Sequence, residues 1–319
     1  MAPTDQDNSE RICILLNPGS GHQGKAELVA EIEAFAARHD ARVTLRKFEH
    51  GSSPATAAQR AVDDGFGTVV AAGGDGTICA VAGVLHGHTD IRMGILPMGT
   101  FNYFARGLGV PLDLNDAFDL LLNGTPQPMP VAEVNGELFL NNASLGVYPS
   151  ILARREGIYK RWGRSQLAAY WSVVLTIMGF RKSRTLKVTI DGVQHRRRTP
   201  LIFVARSSYQ LEQFDLQGAD LIRDGRFAIF LAPDVGRWGL LRYAILLMGR
   251  SMTRHRDFEL LDGYEIDIDT HGKHLIARDG ERTKMRAPIR FRFRDKPLLV
   301  ITPERQNAAS GVTPQAEVA

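Results

Sequence analysis

Three glycines and one aspartate separate an apolar run from an apolar helix pattern in the stretch TVVAAGGDGTICAVAGVLHG, residues 68–87. A loop without bulky side chains at a strand-to-helix junction leaves backbone N–H groups facing open space, beside the positive end of the helix dipole. Such a junction binds anions, most often phosphate. Asp75 lies inside this loop, and a carboxylate there would repel a phosphate unless a divalent cation lay between them. These residue types therefore indicate a polyphosphate held with Mg²⁺.

Glycine also serves tight turns that bind nothing, and this simpler interpretation stays open for any single loop. Two further glycine or proline junctions end predicted strands, NPGSG from Asn17 and PMGT from Pro97. Ligands of parallel sheets lie beyond the carboxyl ends of the strands, so we expect the three junctions at one edge. For Asn17, a turn that introduces Pro18 is an equally good explanation. The candidate nucleotide-binding residues are Asn17, Gly73, Gly74, Asp75, Gly76, Thr77, Thr100 and Asn102.

Strand and helix patterns alternate through the first third of the chain in the order β-α-β-α-β-α-β. This order predicts an α/β domain with a parallel sheet covered by helices on both faces. Near residue 130 the pattern changes to Asn-Gly and Asp-Gly turns between strands of period two, which predicts a β-rich, sandwich-like or flattened-barrel domain. We place the α/β domain at residues 1–128, the β-rich domain at 129–304 and a disordered polar tail at 305–319.

The N-terminal junctions together resemble the catalytic domain of the diacylglycerol kinase family, and the two-domain layout resembles that of the bacterial soluble lipid kinases. The specific motifs are residues 17–21, residues 73–77 and GILPMGTFNYFARGLGVP at residues 94–111. Weaker matches are FLNNASLG from Phe139, LIRDGRFAIF from Leu221 and Asp279-Gly280-Glu281. The resemblance implies an N-terminal domain similar to those of phosphofructokinases and NAD kinases, ATP and Mg²⁺ as cofactors, and a lipid as substrate.

The resemblance also implies a catalytic base in the C-terminal Asp-Gly-Glu, folded back over the cleft. On the residues alone, a hairpin turn explains Asp279-Gly280 better, as it does the other Asp-Gly pairs at 191, 224 and 262. Proton transfer from an acceptor hydroxyl needs a carboxylate within hydrogen-bond reach. The catalytic candidates are thus Glu281, Asp279 and Asp75, and the sequence does not choose among them.

Two positions in the third motif depart from the family pattern Gly-Thr-Gly-Asn-Asp-Phe-Ala. Phe101 stands in place of its second glycine and Tyr103 in place of its aspartate, which bears on nucleotide preference. A second metal hypothesis concerns QGADLIRDG, residues 217–225, where Asp220 and Asp224 would supply oxygen ligands as in some soluble bacterial relatives. The metal candidates are therefore Asp75, Asp220 and Asp224, although an ordinary polar turn is the simpler interpretation of the last two.

A basic segment, residues 154–184, has an apolar centre at residues 167–180. That centre is shorter than the about 20 residues needed to span a bilayer; basic clusters flank it, Trp162 precedes it and Trp171 lies within it. These features suit docking on an anionic membrane surface, while a core helix with solvated ends is the alternative. No nucleic-acid motif accompanies the charge. The polar start and the two cysteines suggest a cytoplasmic, peripherally membrane-associated protein, and a homodimer is left open.

These features together predict a lipid kinase that transfers the γ-phosphate of ATP to diacylglycerol and yields phosphatidic acid. A sphingoid base, ceramide or another lipid alcohol is the alternative acceptor. The alternatives from other functional classes are an NAD kinase and a nucleotide-binding protein with weak catalysis.

Overall fold

The computed structural model describes residues 10–18, 25–48, 53–146, 184–236 and 258–304, together with Pro149 and Gly239. Within these ranges the strands form three six-stranded sheets, one in the first domain and two in the second.

The sheet of the first domain has the strand order β2-β1-β3-β4-β18-β5. Its strands are β1 (Ile12–Leu16), β2 (Val43–Lys47), β3 (Thr68–Gly73), β4 (Arg92–Pro97), β5 (Thr125–Met129) and β18 (Leu298–Thr302). Strands β1 to β4 are mutually parallel, and β18 is parallel to β4 and antiparallel to β5. Every residue of β1 and β3 is buried, as expected for continuous apolar runs in a sheet covered on both faces.

Helices cover both faces of this sheet and enclose a separate apolar cluster on each. They are α1 (Lys25–Arg38), α2 (Pro54–Asp63), α3 (Asp75–Leu85), α4 (Tyr103–Gly107) and α5 (Leu114–Asn123). Ser53 caps α2 by accepting a hydrogen bond from the Thr56 N–H, and Pro54 occupies the first turn. Asp113 caps α5 in the same manner. The residue types that commonly begin helices, Ser and Asp at the cap and Pro in the first turn, therefore occupy those positions here.

The second domain is a sandwich of two six-stranded antiparallel sheets around one apolar core. One sheet, ordered β10-β9-β14-β17-β6-β7, contains β6 (Ala132–Val134), β7 (Glu137–Phe139), β9 (Arg184–Ile190), β10 (Val193–Thr199), β14 (Ile266–Asp269) and β17 (Ile289–Phe293). The other, ordered β13-β12-β11-β8-β15-β16, contains β8 (Asn142–Gly146), β11 (Leu201–Ala205), β12 (Phe227–Leu231), β13 (Glu259–Gly263), β15 (Lys273–Arg278) and β16 (Glu281–Arg286). Two short helices, α6 (Ser208–Gln213) and α7 (Ala219–Arg223), follow β11.

The predicted fold class is confirmed: an α/β domain with a parallel sheet is followed by a β-rich sandwich. The hairpins at Asn135-Gly136 and Asp191-Gly192 also form, with Asn135 and Asp191 in left-handed backbone conformations. The expectation of hairpin turns at 224 and 262 was wrong, because Asp224 caps the C-terminus of α7 and Asp262 lies within β13. One strand departs from the sequence-based division at residue 128: β18 comes late in the chain but lies in the sheet of the first domain. The expected tail at 305–319 lies outside the described residues.

Candidate active site

The glycine loop joins β3 to α3, whose N-terminal turn has no side-chain cap. Gly74 occupies the N-cap position in extended conformation, and no side chain accepts a hydrogen bond from the first turn. The first N–H groups of a helix have no partner within the helix, so they stay available to an anion. Asn17, at the end of β1, donates from Nδ2 to Thr77 Oγ1 over 2.9 Å. The ends of two neighbouring strands therefore meet at this turn, as the sequence predicted.

A second loop, residues 99–102, lies directly against the glycine loop. A Cβ added to Gly74 would lie 3.2 Å from the Gly99 Cα, and one added to Gly99 would lie 2.6 Å from the Gly74 Cα. Asn102 holds this second loop in a left-handed conformation (φ 52°): its Oδ1 accepts from the Gly99 N–H and its Nδ2 donates to the Gly99 carbonyl. Glycine is thus required here by the close approach of two backbones.

Asp75 links the starts of α3 and α4. Its Oδ1 accepts a hydrogen bond of 3.1 Å from the Phe104 N–H. Within the described ranges its Oδ2 accepts none. One carboxylate oxygen is therefore used in a hydrogen bond that stabilises the fold, and the other is available to a cation or to water.

Residues of the glycine loop and of the β15–β16 hairpin line one cavity of about 730 Å³. Six of the residues predicted from the sequence line it, namely Asn17, Gly74, Gly76, Thr77, Asp279 and Glu281. The remaining candidates of the two loops do not form its wall: Gly73 and Asp75 are neighbours of lining residues in the chain, and Thr100 and Asn102 belong to the loop that packs against the glycine loop. The structure thus brings the predicted phosphate loop and the predicted Asp-Gly-Glu motif to one cleft.

Asp279 is half-buried, and its carboxylate is surrounded by donors. Oδ2 accepts from the Leu140 N–H at 2.6 Å and from the Cys79 thiol at 3.3 Å, while Oδ1 accepts from the N–H groups of Asn141 and Asn142 at 2.8 and 3.1 Å. Burial raises the pKa of Asp279 above its ordinary value, and the three backbone donors oppose that rise. With both oxygens occupied, Asp279 anchors its hairpin to the segment between β7 and β8.

Glu281 follows two residues later, at the start of β16, and differs from Asp279 in burial and in the hydrogen bonding of its carboxylate. It is exposed, it lines the cavity, and no hydrogen bond within the described part of the chain engages its carboxylate. The Asp279-Gly280 turn has positive φ at both residues (44° and 86°), which directs the following strand, with Glu281, back along the cleft. A carboxylate that is accessible to a ligand and free of protein donors is the better proton acceptor of the two.

Comparisons with known proteins show the family to which the chain is similar. Residues 11–134 match the model of the diacylglycerol kinase catalytic domain, and residues 150–302 match that of the YegS C-terminal, NAD kinase beta sandwich-like domain. A diacylglycerol kinase of Bacillus subtilis is 37% identical over 288 residues, which cover 85% of this chain and 90% of that protein. The chain belongs to the diacylglycerol kinase family. This family of lipid kinases is the one that the sequence motifs resemble.

Two other similar proteins differ in how much of this chain they match. A YegS-like protein of Pseudomonas aeruginosa, named as a lipid kinase, is 44% identical over 96 residues, which cover 30% of this chain and 32% of that protein. The chain therefore spans about a third of the length of this relative. The crystal structure of a diacylglycerol kinase from Bacillus anthracis covers 92% of this chain and 97% of its own, with a TM-score of 0.65 at 18% identity. This last likeness concerns the fold.

Several cavity residues of this family member were missed by sequence reasoning, among them Arg278, Arg294 and Cys79. Arg278 donates to the Leu138 carbonyl and to Glu137, yet its Nε is buried without a partner. Arg294 donates to Glu133 and to the Gly136 carbonyl. Cys79 lies on the cavity-facing side of α3. Arg278 directly precedes the Asp-Gly-Glu motif, which is the one signal in the sequence that could have drawn attention to it.

The second metal hypothesis gains no support from the structure. Asp220 and Asp224 do not line the cavity; Asp220 pairs with Arg223 at 2.7 Å and Asp224 with Arg226 at 3.1 Å. Among the residues that the structure describes, no three His, Cys, Asp or Glu side chains converge on a point. A metal at Asp220 and Asp224 stays a prediction.

The departures from the family motif form an exposed aromatic cluster. Phe101 is 57% exposed and stacks on Tyr103 with parallel rings 5.3 Å apart, and Tyr103 also contacts Phe214. Neither Phe101 nor Tyr103 lines the cavity, so the bulky ring at 101 does not narrow it.

The basic segment at residues 154–184 lies almost wholly outside the described residues, and of it the structure describes only Arg184, at the start of β9. Elsewhere in the described ranges, no helix combines the length and the apolar character needed to cross a bilayer.

Proposed function

We propose that this chain transfers the γ-phosphate of Mg²⁺-ATP to the hydroxyl of diacylglycerol and yields phosphatidic acid. The observation that carries the proposal is the single cleft that both the uncapped N-terminus of α3 and Glu281 line. Membership of a lipid kinase family supports the reaction class. The Bacillus subtilis relative, similar over most of both chains, is named a diacylglycerol kinase, and this supports the choice of acceptor.

The nucleotide phosphates would lie against the first turn of α3, where Gly76 leaves open space: a Cβ there would meet nothing within 4 Å. Thr77 would keep its hydroxyl oriented through the hydrogen bond from Asn17. The donor set fits Mg²⁺, because this ion is usually held by one or two carboxylates together with substrate phosphates, and Asp75 has one oxygen to offer. When bound, Mg²⁺ neutralises charge on the phosphates.

Glu281 would act as the general base. As the lipid oxygen forms its bond to the γ-phosphorus, the bond from that phosphorus to the β–γ bridging oxygen breaks and ADP leaves. The hydroxyl proton passes to the Glu281 carboxylate. Asp279 would be a positioning residue, since its two oxygens already accept four hydrogen bonds and the turn that it anchors carries Glu281.

Arg278 would stabilise the charge of the phosphoryl group in transfer. Its guanidinium is tied at two nitrogens to Leu138 and Glu137, which fixes its position, while the buried Nε has no partner in the described structure. A donor that is positioned in advance stabilises developing charge without reorganisation.

The test is a radiolabelled ATP assay with purified protein and mixed micelles that contain diacylglycerol, ceramide or a sphingoid base, and with NAD⁺ in a separate arm. We expect label in phosphatidic acid, and a rate of labelling about 10²–10⁴-fold lower with Glu281→Gln. Label chiefly in ceramide, sphingoid base or NAD⁺ would replace the proposed acceptor. Absence of label in every arm, with ATP bound, would favour a nucleotide-binding protein without turnover.

We also propose that the basic segment at residues 154–184 brings the enzyme to an anionic membrane surface in the cytoplasm. The support is its sequence, in which arginines and lysines flank a short apolar centre and two tryptophans, Trp162 and Trp171, lie before and within that centre. Co-sedimentation with vesicles of phosphatidylglycerol should weaken as salt is raised, since exposed charges are screened. Binding that does not respond to salt would contradict an electrostatic docking.

A further inference from the structure

A second cavity, of about 760 Å³, lies on the other side of the segment that anchors Asp279. Leu140 and Asn141 donate their N–H groups to Asp279, and both residues also line this second cavity. Further wall residues come from α4, from the chain after β5, from the start of α6 and from the turn after α7. It shares no lining residue with the candidate active site.

The charge of this second cavity is positive. Three arginines line it, Arg106, Arg206 and Arg223, and none of its described lining residues is Asp or Glu. Arg223 is neutralised by Glu212 and Asp220. Arg206 forms no ion pair within the described ranges; it donates to the Pro130 carbonyl at 3.4 Å and lies 5.3 Å from the centre of the Phe293 ring. An arginine without a counterion is therefore held at the cavity wall.

Two buried polar atoms at this wall have no hydrogen-bond partner in the structure, the Nε of Arg206 and the Oδ1 of Asn141. Asn141 is only 3% exposed. The two residues are neighbours, because the Asn141 carbonyl accepts the N–H of Arg206 at 2.7 Å. A buried polar group without a partner costs free energy, so two such atoms, on neighbouring residues that line the same cavity, indicate a ligand that uses both.

We propose that this second cavity binds a phosphate group through Arg206 and Asn141. The guanidinium fork matches phosphate oxygens, and a neighbouring hydroxyl or a protonated phosphate oxygen would donate to Asn141. The group could arrive as free phosphate or as the headgroup of an anionic lipid. Burial lowers the pKa of Arg206 to about 10, so its side chain remains cationic near neutral pH. This site does not depend on the proposed function of the first cavity.

The test compares Arg206→Met with Arg290→Met. Arg290 is an exposed residue of β17 whose contact with Asp267 is long at 3.9 Å, so its replacement removes one positive charge at small structural cost. Inorganic phosphate is titrated calorimetrically, and vesicles of phosphatidylcholine with about one-fifth phosphatidylglycerol are co-sedimented. We expect Arg206→Met, and not Arg290→Met, to weaken binding about tenfold or more, the usual effect of losing a charge-assisted hydrogen bond.

Each outcome has a meaning. An Arg206-dependent loss for phosphate alone supports a soluble ligand, a loss for vesicles alone supports a lipid headgroup, and a loss for both supports the phosphate group as the shared feature. Equal binding by the two variants in both assays overturns the proposal. If Arg206→Met does not fold, Asn141→Asp carries the test, because its carboxylate would pair with Arg206 and repel phosphate while the backbone N–H to Asp279 is kept.

Discussion

Replacing Asp279 by Asn should lower both the free energy of unfolding and the turnover number. Asn tolerates the left-handed backbone at this position (φ 44°), so the turn itself is not strained by the change. With its amide oxygen in place of Oδ1, Asn keeps the hydrogen bonds from Asn141 and Asn142. Its amide nitrogen then faces the Leu140 N–H, which formerly donated to Oδ2 over 2.6 Å.

The size of the loss follows from these contacts. One bond to a charged acceptor disappears and a buried N–H is left unpaired, which costs about 1–3 kcal/mol. The two bonds that remain become neutral and weaken by about 0.5–1 kcal/mol each. Relief from burying a charge, which is what raises the pKa of Asp279, offsets part of this. We expect a net loss of about 2–4 kcal/mol in urea unfolding and, because Glu281 is displaced, a fall of about 100-fold in turnover.

Asp191→Asn is the matched control. Asp191 begins the β9–β10 Asp-Gly turn with φ 48°, and its carboxylate accepts the N–H groups of Tyr264 and Glu265. The control should lose about 1–3 kcal/mol of stability and keep its turnover. Turnover of Asp279→Asn within twofold of the parent enzyme, despite a measured loss of stability, would refute the positioning role. Full stability with abolished turnover would make Asp279 the base.

Three other expectations concern the same cleft. Glu281→Gln should reduce turnover by about 10²–10⁴-fold in the micelle assay while the free energy of unfolding changes by less than about 0.5 kcal/mol, because the side chain is exposed and unpaired; intact turnover would remove it as the base. Gly74→Ala should destabilise the protein by about 1–3 kcal/mol, because the new Cβ would press on Gly99. Gly76→Ala should stabilise α3 by up to about 1 kcal/mol, because its Cβ would enter open space. Thermal unfolding measures both effects, and the reverse order of stabilities would contradict the loop packing. Burial raises the pKa of Cys13 to about 11 and that of Cys79 well above its ordinary value, so both thiols should resist iodoacetamide at about pH 8 until the protein is unfolded; rapid native labelling of Cys79 would show that its bond to Asp279 is absent.

Local patterns were sufficient for the β-α-β-α-β-α-β order of the first four strands and for the glycine loop. The junction at Gly73–Thr77 was predictable because a strand, a loop without side chains and a helix follow one another within a single short stretch. The hairpins at Asn135 and Asp191 were predictable for the same reason, since each turn type depends on two adjacent residues. Strand β18 was not assigned correctly to a sheet, because its partner β4 lies about 200 residues earlier and an apolar strand of five residues carries no label for its partner.

The site required information that no local pattern contains. Arg278 faces the cleft with an unpaired Nε because β15 pairs with β8 and the segment before β8 supplies its other partners. Nothing in the residues near Arg278 specifies that pairing. The same holds for the neighbouring residues Arg206 and Asn141, whose free atoms become visible only when β8 and β11 are aligned.

Asp279-Gly280 shows why the two competing interpretations of a motif need not exclude each other. As a sequence pattern it indicates a hairpin turn, and in the structure it is one, with positive φ at both residues. What distinguishes it from Asp191-Gly192 is its partner: Asp191 accepts N–H groups from the sandwich, whereas Asp279 accepts them from the segment that separates two cavities. The turn chemistry fixes the conformation of the hairpin and the tertiary contact fixes its location. A carboxylate two residues further on, Glu281, is thereby held at the cavity that the glycine loop also lines, so the structural role of Asp279 is the physical basis for the catalytic role proposed for Glu281.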